Sequence, residues 1–145
     1  TAAVAATGTH ALGVDISPVA VRLTRRRGGT ALCRSVFQRL PAEGRWRHVL
    51  LADGNIGIGG DPVRLLTRCR SLLAPGGSVL VEVEPPGGGS GTSTVRLRHG
   101  ERYSQPFRWA RVAADDLAAD AEPAALRPIE SWTEDGRWFA ALGVG

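Results

Sequence analysis

The sequence predicts an α/β fold in which a mostly parallel β-sheet is covered by helices. Short apolar segments with strand character alternate along the chain with amphipathic helical segments. The segment RHVLLAD, residues 47–53, is apolar without alternation at its centre, as expected of a parallel strand covered on both faces. With 145 residues, 43% of them hydrophobic, the chain can bury one core and fits one domain.

The first part of the chain is predicted to contain the end of a helix, then strand, helix, strand and strand. Ser17 and Pro18 have the cap and first-turn character that opens a helix, and Gly28 and Gly29 end it. The predicted elements are helix 1–6, strand 10–15, helix 18–27, strand 30–37 and strand 47–53.

The second part begins with a glycine-containing segment and a helix that Asp61 caps and Pro62 starts. Pro75, Gly76 and Gly77 predict a turn before a fourth strand. The later predicted elements are strand 78–84, a hairpin insertion at residues 86–111, a helix broken near Pro123, and strands 126–133 and 137–143 joined by a turn at 134–136.

Composition and charge exclude several classes of function. All 18 basic residues are arginines spread along the chain, so the net charge of +4 predicts neither a nucleic-acid partner nor a membrane surface. No apolar run has the length of a membrane span, and we expect a cytoplasmic protein. Cys33 and Cys69 have no ligand-like spacing, so both are predicted to be buried free thiols and no metal site is expected.

The segment LADGNIGIGGDP, residues 51–62, holds four glycines but fits neither known type of phosphate-binding loop. Pro62 stands where the dinucleotide fingerprint needs its third glycine, and the chain has no lysine for a Walker loop. Asp53 and Asp61 flank the loop and would repel an anion at the helix N-terminus. The loop is therefore predicted to approach an uncharged or cationic ligand.

Acidic residues end several of the predicted strands, where ligands of open α/β sheets bind. Asp15 could accept hydrogen bonds from both hydroxyls of a ribose, and Phe37 could lie against a base. The backbone after Asp53 could approach an ammonium or sulfonium group. We expect a crevice with little positive charge, into which at most one of Glu82 and Glu84 points.

Two motifs resemble the class I S-adenosylmethionine-dependent methyltransferases: GVDIS at residues 13–17 and LLAPGGSVLVE at residues 72–82. The resemblance extends over residues 1–145, and the chain is similar to a bacterial, actinobacterial branch of this family. It implies a three-layer αβα Rossmann-like sandwich whose sheet is mostly parallel, with an antiparallel C-terminal strand. It also implies S-adenosylmethionine as cofactor and a small molecule as methyl acceptor.

The resemblance assigns roles to three groups of residues at strand ends. It places Asp15, Ile16 and Ser17 at the ribose, and Ser35, Val36 and Phe37 at the adenine, although the family often has an acid where Ser35 stands. It places Ala52, Asp53, Gly54 and Asn55 near the methionine part and the methyl group, where the glycines allow close approach of the backbone. The acceptor is expected near Glu84, Tyr103 and Trp109. No catalytic residue is identified, because in-line methyl transfer needs no dedicated base.

The family's glycine-rich turn and the strand before it have no counterpart in these residues. TAAVAA, residues 1–6, would be the remainder of the helix after that turn, so the chain is expected to be the C-terminal part of an enzyme. Two alternatives stay open: a non-catalytic α/β interaction module and a nicotinamide-dependent Rossmann oxidoreductase.

Overall fold

The computed structural model describes residues 1–145, which form two compact units, Thr1–Pro41 and Ala42–Gly145. The helices and strands follow the predicted alternation, so the chain belongs to the α/β class. None of its helices has both the length and the hydropathy needed to cross a bilayer.

Unit Thr1–Pro41 contains two helices and a pair of parallel strands. Its elements are α1 Ala2–Ala6, β1 Leu12–Asp15, α2 Pro18–Arg26 and β2 Thr30–Cys33. The side-chain oxygen of Ser17 accepts a hydrogen bond from the amide of Ala20 at 3.3 Å, which confirms the predicted cap of α2. In the ladder, Asp15 lies opposite Cys33, so both strands end at the same edge.

Strand β2 is shorter than predicted and ends at Cys33 instead of continuing to Phe37. The chain turns here because the carbonyl of Ser35 accepts from the amide of Gln38 at 3.0 Å, and the Gln38 side chain accepts from the amide of Ser35 at 3.1 Å. Cys33 is exposed, so its predicted burial is wrong, since it stands at the open end of a four-residue strand.

Unit Ala42–Gly145 is built on a four-stranded mixed sheet in the order β3-β4-β10-β9. Strands β3 and β4 are parallel, whereas β10 is antiparallel to both of its neighbours, β4 and β9. The elements are β3 Trp46–Leu51, α3 Pro62–Leu72, β4 Leu73–Val83, β5 Gly91–Val95, β6 Arg98–His99, β7 Arg102–Tyr103, β8 Phe107–Arg111, α4 Leu117–Ala121, β9 Leu126–Glu134 and β10 Arg137–Val144.

The core of this unit lies between α3 and the sheet. Leu65 and Leu66 of α3 are fully buried, as are Val79 of β4 and Leu142 of β10. Complete burial of such side chains contributes about 1.5–3 kcal/mol each. Asp61 caps α3 by accepting a hydrogen bond from the amide of Arg64 at 2.9 Å, as predicted.

The predicted turn at residues 75–77 and the predicted burial of Cys69 can both be compared with this unit. The predicted turn at residues 75–77 lies inside β4, where an irregularity shifts the register between Trp46 and His48 of β3. Gly76 has a φ of +73°, so the turn residues bend the strand without ending it. Cys69 is buried and free as predicted, and burial raises the pKa of its thiol to about 12.

Residues 86–111 form a hairpin in which β5 pairs with β8 antiparallel. The short strands β6 and β7 pair at its tip. Outside the named strands, Ile58 forms an isolated antiparallel bridge with Trp109 of β8. The hairpin is thereby attached to the glycine-containing segment that follows β3.

Candidate functional site

At the end of β1, Asp15 has an exposed carboxylate that is held at one oxygen. Its Oδ1 accepts a hydrogen bond from the amide of Ser17 at 2.7 Å. Ile16, between them, is 75% exposed. The fixed carboxylate can therefore accept hydrogen bonds from hydroxyl groups of a ligand, which is the chemistry predicted for the ribose.

The three residues predicted to contact adenine lie in the turn after β2. Ser35, Val36 and Phe37 are all half-buried. The Oγ of Ser35 accepts from the amide of Phe37 at 3.3 Å, so the serine hydroxyl is used within the turn. The structure thus brings these residues to the same edge of the β1–β2 pair as Asp15.

In the larger unit, the loop after β3 is a tight turn built on an Asp-Gly pair. Asp53 and Gly54 have φ angles of 55° and 73°, and the amide of Asn55 donates to the carbonyl of Ala52 at 3.1 Å. Positive φ at both central residues is the geometry of a type I′ turn, for which Asp-Gly is a preferred pair. The local sequence therefore explains the shape of the loop predicted to lie near the methyl group.

A hydrogen-bonded cluster of Arg137, Glu82 and Asp53 holds this loop against the sheet. Arg137 donates to both carboxylate oxygens of Glu82, from Nε at 2.8 Å and from Nη2 at 2.5 Å. Its Nη2 also lies 2.9 Å from Oδ1 of Asp53, and the amide of Asp53 donates to Glu82 at 2.5 Å. The hydrogen bond from Arg137 is the main cause that lowers the pKa of Glu82.

Arg137 was not predicted, and it changes the expected charge of the site. The expectation of a crevice with little positive charge is wrong at Asp53 and Glu82, because both carboxylates pair with this arginine. The turn residues Asp135 and Gly136 in the sequence predict where β10 begins. The position of Arg137 beside β4 follows from the antiparallel register of Trp138 with Val83, which no local pattern specifies.

A cleft of about 310 Å³ opens beside this cluster. Its lining includes Glu82, Glu84, Trp109, Arg111, Arg137 and Trp138. Both glutamates therefore border it, and the alternation around Val83 does not separate them, because residues two apart on a strand share a face. Tyr103 is not part of the lining, since it lies at the hairpin tip, 60% exposed, with Arg98 6.0 Å from its ring centre.

Two of the four glycines of residues 51–62 are explained by the hairpin. A Cβ on Gly57 would lie 2.2 Å from the carbonyl oxygen of Ala110, and one on Gly60 would lie 2.6 Å from Cβ of Arg108. Thr92 of β5 also donates to the carbonyl of Gly60 at 2.9 Å. At Gly57 and Gly60 the close approach predicted for a ligand is made by the hairpin, whereas Gly54 lines the cleft.

No protein-family profile and no curated protein sequence matches the chain. Solved structures do match. A methyltransferase of Bacteroides fragilis in complex with S-adenosyl-L-homocysteine has a TM-score of 0.76 at 21% identity, over 99% of this chain and 66% of that one. The 1,6-didemethyltoxoflavin-N1-methyltransferase of Burkholderia thailandensis has a TM-score of 0.69 at 17% identity, over 98% of this chain and 64% of that one.

A third structure, the CcbJ methyltransferase of Streptomyces caelestis, has a TM-score of 0.70 at 16% identity and covers 98% of this chain and 77% of that one. The chain has the Rossmann-like methyltransferase fold. This confirms the predicted fold class. The chain spans about two thirds of the length of the Bacteroides and Burkholderia methyltransferases.

Proposed function

We propose that the chain is part of an S-adenosylmethionine-dependent methyltransferase that acts on a small-molecule acceptor. The observation that carries this proposal is the likeness of 99% of the chain to a methyltransferase structure that contains S-adenosyl-L-homocysteine. We further propose that residues 1–145 belong to one methyltransferase domain with residues 86–111 as an insertion, in a bacterial cytoplasm. No nucleic acid or membrane is part of the proposal.

The residues at the end of β1 fit the cofactor that the fold implies. One oxygen of Asp15 is fixed by Ser17, and the exposed remainder of its carboxylate is available to the hydroxyls of a ribose. In the proposal Ile16 and Ser17 complete this contact, and Val36 and Phe37 provide an apolar wall for adenine. Ser35 offers the adenine amine a hydroxyl instead of a carboxylate, and that hydroxyl also accepts from Phe37.

In unit Ala42–Gly145, the proposed contacts to the cofactor are Ala52, Asp53, Gly54 and Asn55 of the type I′ turn. The arginine-paired turn presents a fixed backbone, with Gly54 open to the cleft. When bound, S-adenosylmethionine supplies an electrophilic methyl group on a sulfonium sulfur.

The acceptor is proposed to bind in the cleft beside this turn. Trp109 and Trp138 offer indole surfaces that bury an apolar acceptor and exclude water. Glu84 lines the same cleft and forms no ion pair, so its carboxylate can accept a hydrogen bond from a nucleophilic N–H or O–H group. These side chains would align the acceptor, and no side chain is assigned as an essential base.

Titration calorimetry with S-adenosylhomocysteine tests the proposal, using residues 1–145 and the full gene product that contains them. Asp15→Asn should weaken binding by about tenfold or more, equivalent to ~1.4 kcal/mol, because a charged acceptor of two hydroxyl bonds is lost. Glu130→Gln is the matched control, since Glu130 is an exposed acid on β9 with no ion pair. Absence of binding by both proteins would contradict the proposal and favour an interaction module, and binding of a nicotinamide dinucleotide instead would favour an oxidoreductase.

A further inference from the structure

The Arg137 guanidinium joins three separate segments of unit Ala42–Gly145. It extends from the first residue of β10 and forms two hydrogen bonds with Glu82 of β4 and one with Asp53 of the loop after β3. Its position is further supported by Phe139, whose ring centre lies 5.3 Å from the guanidinium carbon. One side chain therefore determines how the loop is placed relative to two strands.

Asp53 is the part of the loop that most needs such support. It is a non-glycine residue with a φ of 55°, in the left-handed region that few L-residues other than Asn and Asp adopt. Its amide donates to Glu82 and its carboxylate accepts from Arg137, so backbone and side chain are both held. The turn is fixed from outside the loop as well as by its own Asp-Gly sequence.

The pairing also indicates the role of the Arg137 guanidinium. Its Nε and Nη2 atoms are already used by two carboxylates, whose combined negative charge exceeds the positive charge of the guanidinium. A cation neutralised in this way is a poor direct site for an anionic acceptor, although the residue lines the cleft. Its hydrogen bonds instead act on the segment that the proposed function places next to the methionine part of the cofactor.

We propose that Arg137 is a positioning residue that fixes the loop at residues 52–55 through Glu82 and Asp53, and thereby sets the affinity for the amino-acid end of the cofactor. The second half of this inference rests on the proposed function. The first half concerns only the order of the loop and can be decided without any ligand.

Amide hydrogen exchange of residues 1–145 tests the first half. In Arg137→Gln the amides of Asp53 and Asn55 should exchange about tenfold faster than in the original chain, because the loop opens locally. Arg137→Lys, which keeps the charge but loses the bidentate geometry, should fall between the two. Arg127→Gln on β9 is the matched control and should change nothing, since Arg127 forms no ion pair. Equal exchange in Arg137→Gln and the control would overturn the inference.

Calorimetry with two probes on the full gene product tests the second half. S-adenosylhomocysteine contains the amino-acid end, whereas 5′-methylthioadenosine lacks it. Arg137→Gln should weaken the first about tenfold and the second less than about twofold. Asp53→Asn, which loses the charge of the loop contact but keeps a residue that favours positive φ, should weaken the first probe in the same direction. Equal weakening of both probes, or of neither, would overturn it. Failure of the original protein to bind either probe would instead overturn the proposed function and the cofactor half of this inference, while the exchange result still decides the loop.

Discussion

Replacing Gly57 with alanine should destabilise unit Ala42–Gly145 by about 3 kcal/mol. The added Cβ would lie 2.2 Å from the backbone oxygen of Ala110, and 2.5 Å from Nε1 of Trp109. Carbon–oxygen contacts of this kind are normally about 3.3 Å or longer, so the hairpin strand would have to move by about 1 Å. Overpacking of this sort costs about 1–3 kcal/mol, and a backbone obstacle that cannot rotate away favours the upper end.

Urea unfolding followed by circular dichroism measures this loss, and near-ultraviolet dichroism should report the displaced Trp109. A loss of about 3 kcal/mol corresponds to a decrease in Tm of roughly 10 °C for a chain of this size. Gly91→Ala is the matched control, because Gly91 lies in the same hairpin, has no positive φ, and leaves an added Cβ with no atom within 4 Å. The control should range from no change to about 1 kcal/mol of stabilisation.

A Gly57→Ala chain as stable as the Gly91→Ala chain would refute this reasoning. It would mean that the hairpin is not packed against the loop, and that the glycine is free to serve a ligand as first expected. A loss of stability without any change in the Trp109 signal would place the clash elsewhere.

Four further outcomes follow from particular side chains. Leu65→Ala should lower the free energy of unfolding by about 2–5 kcal/mol, since Leu65 is fully buried. Asp61→Ala should cost about 1 kcal/mol in the same urea assay, because the cap of α3 is lost. Glu82→Gln should destabilise the chain at pH 7 and progressively less below pH ~4.3. Because the pKa of Glu82 is lowered in the folded chain, its ionised form stabilises the fold at pH values above the ordinary glutamate pKa, and this stabilisation is lost as the carboxylate is protonated. Asp120→Asn should stabilise the chain at pH 7 and have no effect below pH ~3.9. Burial, Asp116 and Asp61 raise the pKa of Asp120, so the folded chain is most stable where this carboxyl group is protonated and loses stability as the pH rises and the group ionises.

Each of these has an outcome that would contradict it. A loss below about 1 kcal/mol for Leu65→Ala would mean that the core is not packed as described, and an unchanged Asp61→Ala would mean that water replaces the cap. For the two titrating acids the measurement is the difference in Tm from the original chain as a function of pH. A difference independent of pH for Glu82→Gln or Asp120→Asn would show that ionisation in the folded chain is not the cause.

The sequence by itself determined the elements and their local chemistry. The Ser17 and Asp61 caps and the amphipathic helix α3 depend on contacts within a few residues, so local patterns predicted them. The same patterns predicted the α/β fold class, which the structural comparisons confirm. The predicted cofactor contacts stay predictions.

Tertiary structure alone decided which distant residues meet. Arg137 reaches Glu82 and Asp53 across sequence separations of 55 and 84 residues, through an antiparallel register that the local pattern does not encode. By local pattern the glycines at 57 and 60 suit a ligand, yet in the folded chain the hairpin lies against them. The physical reason is the same in both cases: a backbone preference acts over one turn, whereas ion pairs and steric exclusion act between whichever segments the sheet and hairpin bring together.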